Sequence, residues 1–123
     1  MNFYPMIRLY CVNLRFNIIG DGDSLDLIKS YKWPFEVLYF GSLSYESMVE
    51  VISSKADLLF GMGTSALEGA KCSVPSVIVS PLKKGEKGVS YRWVHDSIGY
   101  SMGEYRDKYI YPKQPSVSLE NLV

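Results

Sequence analysis

The sequence predicts a parallel α/β domain with helices on both faces of its sheet. Two observations carry the prediction. Short apolar runs alternate with stretches whose apolar residues fall at helical spacing, giving strand, helix, strand, helix, strand, helix, strand. The strand runs are apolar throughout rather than alternating, which suits strands covered on both faces. Crossovers in such a sheet are right-handed. Ligands bind beyond the carboxyl ends of the strands, so the loops starting at Gly20, Gly41 and Gly61 are where a site is expected.

The elements follow in order. Residues 14–19 (LRFNII) form a strand that meets Gly20-Asp21-Gly22-Asp23, a tight turn. Ser24 caps a short helix through Tyr31, with Leu27, Ile28 and Tyr31 at helical spacing. Trp33-Pro34 stops it. Residues 35–40 (FEVLYF) are a second strand. A helix over 44–54 gathers Tyr45, Met48, Val51 and Ile52 on one face and keeps Glu46 and Glu50 off it. Residues 57–60 (DLLF) are a third strand, followed by a helix over 65–72. Val74-Pro75 breaks the chain before a fourth strand, residues 76–79. Residues 81–90 are a basic, glycine-containing loop. Residues 91–99 read as helical, with Trp93, Val94 and Ile98 as the apolar side. The core spans 14–100, and 112–123 reads as a linker with the start of a further helix.

Composition narrows the function classes. The 123 residues make one domain, large enough to bury a core. Lys plus Arg equals Asp plus Glu, 13 against 13, so no electrostatic footprint for nucleic acid or an acidic membrane is present. Ten tyrosines suit partly covered surfaces and interfaces. Cys11 and Cys72 lack Cys or His company and read as small buried apolar residues in a reducing compartment. No apolar run approaches the ~18 residues of a membrane span. The N-terminal stretch carries Pro5 and Arg8 within its apolar part and does not read as a signal peptide. The expected location is the cytoplasm, with peripheral attachment to the inner face of the membrane as the one variant.

Four motifs merit weighing. Gly20-Asp21-Gly22 follows a strand, but the third glycine of a dinucleotide fingerprint is absent, because position 25 is Leu. A tight turn is the better reading. Residues 61–68 are more informative. Gly61 and Gly63 let backbone approach a ligand, and Thr64 and Ser65 open a helix whose free amides favour phosphate. Two roles fit Glu68: closing an S-x-x-E capping box on Ser65, or touching a ligand at the same helix start. His95, the single histidine, sits beside Asp96. Adjacent side chains on a helix do not face each other, so a solvated or packed histidine is expected. Lys83, Lys84 and Lys87 read as a solvated cluster.

FNIIGDGD (16–23), VLYFG (37–41) and ADLLFGMGTSALEGAKCSVPSVIVS (56–80) together resemble the C-terminal, donor-binding half of the retaining GT-B-fold glycosyltransferases, the group 1 or family 4-like enzymes. Those enzymes carry a strand ending in G-D/E-G, a strand ending in F-x-G, and a strand-loop-helix bearing L-E-A-M-A-x-G-x-P-V-I. Here the last reads Leu67-Glu68-Gly69-Ala70-Lys71-Cys72-Ser73-Val74-Pro75-Ser76-Val77. The resemblance implies a Rossmann-like sheet, incomplete at its N-terminus. It also implies transfer of a sugar from a nucleotide diphosphate donor in polysaccharide or lipopolysaccharide assembly. Glu68 matches the glutamate that accepts hydrogen bonds from the donor's ribose. The amides of Thr64, Ser65, Ala66 and Leu67, with Gly63, match the diphosphate loop. Gly41, Ser42 and Leu43 match the segment near the nucleobase.

No residue is assigned a catalytic role, and neither a metal nor a cofactor is implied; the nucleotide sugar is substrate. The alternative class is a non-catalytic α/β module that binds nucleotide or protein. The departures bear on that choice. The family's second glutamate, eight residues before Glu68, is Phe60 here, and no Arg/Lys clamp or acceptor-binding domain is recognisable. The four strands match the family's second to fifth, while its first strand lies between the second and the fourth. Residues 6–12, an acceptor-domain chain or a second copy is therefore expected to complete the sheet.

Overall fold

The computed structural model describes residues 13–79, 91–97, 116–118 and 121. The expectations for residues 6–12, Cys11, the loop 81–90 with its three lysines, Ile98 and most of 112–123 lie outside them. The architecture is mixed α/β. The chain divides into two compact units, residues 2–50 and 51–123, each with its own small sheet.

The first unit is a strand–helix–strand: β1 (Arg15–Ile19), α1 (Leu25–Ser30) and β2 (Glu36–Gly41). The strands are parallel. Their register runs from Arg15 opposite Glu36 to Ile18 opposite Tyr39, then a bulge sets Ile19 opposite Gly41. Aromatic rings close its core: Phe16 lies 4.6 Å from Phe35 and 6.2 Å from Trp33 between ring centroids. Trp33 also ends α1 as expected, folding back so that its indole N–H donates to the Ile28 carbonyl at 3.2 Å. Ser24 stands at the N-cap, but its side chain makes no capping bond. The Arg15–Glu36 pair, 2.6 Å across the register, is half exposed and worth about 0.2–1 kcal/mol. Next comes α2 (Tyr45–Lys55), within which the unit boundary falls. Ser44 caps it, its hydroxyl accepting the Ser47 N–H at 3.2 Å, an interaction worth about 1 kcal/mol.

The second unit holds β3 (Leu59–Gly61), α3 (Thr64–Lys71), β4 (Ser76–Val79) and β5 (Tyr91–Trp93). Its sheet order is β3-β4-β5; β3 and β4 are parallel, and β5 adds antiparallel with Ile78 opposite Arg92. Period-two alternation assigns the faces. Val77, Val79, Tyr91 and Trp93 share one face and form a core with Leu58 and Val117. Leu59, Ser76, Ile78 and Arg92 share the other, where α3 packs with Gly69 against Leu59 and Ser76. Val77 and Ile78, on the middle strand, have no accessible surface. Burial of each contributes about 1.5–3 kcal/mol.

Four expectations are corrected here. Residues 91–97 are not a helix but β5 and a single 3-10 turn, Val94–Asp96. Tyr91, Arg92 and Trp93 alternate at period two, and the aromatic pair suits a pleated surface. Val117, expected in a linker, bridges antiparallel to Tyr91. The sheet of this unit is therefore mixed, not purely parallel. Nor do the strands form one sheet: among the described residues β1 pairs with β2 alone and β3 with β4 alone.

The C-terminus of α3 explains how the chain turns into β4. The Val74 N–H donates to the Gly69 carbonyl and the Ser73 N–H to the Ala70 carbonyl, both at 3.0 Å. This is a Schellman motif, with buried Val74 and then Pro75 ending the helix. Its left-handed position is held by Ser73, at φ 60°, where glycine is usual and where the resembling family has Gly. Ser73→Gly is expected to stabilise the unit by about 0.5–1 kcal/mol, read as a raised urea midpoint.

Burial raises the Tyr91 phenol above its ordinary 10.0. On raising the pH, the unfolded chain therefore ionises first. This contribution to stability is complete below the unfolded pKa and is lost as pH rises through the folded one. Between about pH 9 and pH 11, the unfolding free energy should fall more steeply in the parent than in Tyr91→Phe. Equal slopes in the two proteins would contradict it.

Candidate functional site

The site is built where β3 passes into α3. Gly61 ends the strand so close to the helix that a Cβ would lie 2.7 Å from Ser65 Oγ and 3.1 Å from the Ala66 nitrogen. Only glycine permits that approach. Ser65 Oγ then locks the turn, donating to the Met62 carbonyl at 2.6 Å and accepting the Met62 N–H at 3.2 Å.

The helix begins at Thr64, with Gly63 as N-cap at φ 60°. This overturns the capping box. Ser65 is the second helical residue and Glu68 the fifth, whereas the box requires the N-cap and the third. The amides without an intrahelical acceptor are therefore those of Gly63, Thr64, Ser65 and Ala66. Leu67 lies one step further in, where a helical amide reaches back to the Gly63 carbonyl. Ala66 has no accessible surface. The side chains of Thr64 and Ser65 are exposed at this helix start, and Gly63 is half-buried.

Glu68 is half-buried, and its Oε2 lies 3.3 Å from Lys71 Nζ. Glu68 is the fifth of the eight residues of α3, and its carboxylate pairs with Lys71, the last of them. The arrangement suits a ligand with an anionic group and a neighbouring diol, because a carboxylate only accepts and amides only donate. Phe60 points to the opposite sheet face, its ring edge-on to Tyr91 at 6.1 Å.

Gly41, Ser42 and Leu43 belong to the first unit. Gly41 closes β2, and its carbonyl accepts the Gly20 N–H at 2.8 Å, joining the loops that leave β1 and β2. Ser42 is exposed and Leu43 half-buried. Beyond β1, the ends of the strand and of α1 and the loop over residues 20–24 line an open depression of about 230 Å³. The structure thus brings residues 63–68 together on one turn, while Gly41, Ser42 and Leu43 lie on a loop of the other unit.

Sequence reasoning missed Arg92. It is buried in β5, donates through Nε to Ser97 Oγ at 3.1 Å, and so ties the 3-10 turn to the strand. The one local signal was the Tyr-Arg-Trp alternation, too short to separate strand from helix. His95 is solvated and packed on a ring, as expected. In the 3-10 turn it meets its neighbour after all, with Nε2 3.6 Å from Asp96 Oδ1, and it stacks on Trp93 at 5.7 Å. Both members of the pair are exposed. Cys72 is a free thiol, half-buried rather than buried.

Among the described residues, no three His, Cys, Asp or Glu gather in a group that would hold a metal ion. No helix among them is long and apolar enough to cross a membrane. Comparison with protein-family models, with curated proteins and with solved structures gives no match to the chain.

Proposed function

We propose that this chain is the nucleotide-sugar-binding part of a GT-B-fold retaining glycosyltransferase, with a Rossmann-like sheet, acting in polysaccharide or lipopolysaccharide assembly. The observation that supports it is the turn over residues 61–68. A glycine-opened helix start offers amides from Gly63, Thr64 and Ser65, and the half-buried carboxylate of Glu68 stands on the same helix. The diphosphate takes the amides and the ribose diol takes Glu68. As the bond to the sugar breaks, charge builds on the leaving diphosphate, and the helix start stabilises it. An acceptor domain supplies the other wall of the cleft and positions the glycan or lipid-linked acceptor. A partner chain or a second copy pairs with the strand edges of β1 and β3.

One observation favours a second reading, a non-catalytic nucleotide- or protein-binding module. Phe60, at the position where the family contacts the donor sugar through a glutamate, spends its ring on Tyr91.

Thermal-shift titration with UDP, GDP and their sugars tests the first reading. Ligand at 100 times its Kd should add about 2.7 kcal/mol of stability. Glu68→Ala should weaken binding roughly 10- to 100-fold by removing charge-assisted hydrogen bonds to the diol. No shift with any nucleotide at millimolar concentration would reject donor binding and leave the protein-binding module. A shift of equal size in parent and Glu68→Ala would reject the role given to the carboxylate.

A further inference from the structure

We draw no further inference here: the strongest candidate, the surface patch of exposed Phe60, Met62 and Leu67 side chains around the β3–α3 turn, carries nothing because nothing in the structure shows what covers it.

Discussion

Ile78→Ala is expected to lower the stability of the second unit by about 2–5 kcal/mol. Ile78 lies in the middle strand with no accessible surface, on the face that α3 covers. Its neighbours cannot refill the space. Gly61, opposite it on β3, has no side chain, and Arg92, opposite it on β5, is tied to Ser97. The void therefore persists, and the loss belongs in the upper half of that range, a large share of the roughly 5–15 kcal/mol that holds a domain together. The chain has two tryptophans, Trp33 in the first unit and Trp93 in the second. In a Trp33→Phe background, Trp93 fluorescence reports the second unit alone. The urea midpoint should fall with little change in slope. Met62→Ala, at a half-exposed side chain, should stay within about 0.5 kcal/mol. An unmoved midpoint in Ile78→Ala would contradict the packing of α3 on this face.

What the sequence disclosed was what local chemistry decides. Residues 76–79 were placed to the residue because Pro75 breaks the chain after α3 and an apolar run follows it. The strands closed by Gly41 and Gly61 were legible for a similar reason, a glycine ending an apolar run, although β3 starts at Leu59 rather than Asp57. A helix over 65–72 with Ser65 as cap was expected, but Ser65 bonds the Met62 backbone instead and the helix opens at Thr64. β5 was not legible. A three-residue strand has too little pattern, and its partner β4 lies more than ten residues upstream, so only tertiary pairing selects strand over helix. Arg92 was hidden by the same gap, since arginine is seldom buried and nothing nearby announced Ser97. The candidate site divides along this line. Residues 61–68 are contiguous and could be read, whereas the loop at Gly41 belongs to another unit, and its role rests on resemblance.

Gly69→Ala is expected to cost about 1–3 kcal/mol and to disturb ligand binding at the same time. A Cβ at this position would press into Ser76 Oγ and lie 3.1 Å from both Cβ and Cδ1 of Leu59. Leu59 Cβ is fixed by its strand. Ser76 Oγ is buried and donates to the Val74 carbonyl at 2.8 Å, so turning it away breaks a hydrogen bond that begins β4. The helix must lift off the sheet instead. Ser76→Ala removes the nearer obstacle, so the double variant Gly69→Ala/Ser76→Ala should lose less than the sum of the two single changes. A purely additive cycle would mean that the contact with Ser76 is not what fixes the helix height. The same helix carries Glu68 one residue earlier and opens at Gly63, so its height sets where carboxylate and amides stand relative to the end of β3. A lift of a few tenths of an ångström also loosens the close approach of Gly61 to Ser65 and Ala66. On the proposed function, the nucleotide shift should therefore weaken in Gly69→Ala and recover in the double variant. Recovered stability without recovered binding would separate the fold's need for Gly69 from the site's.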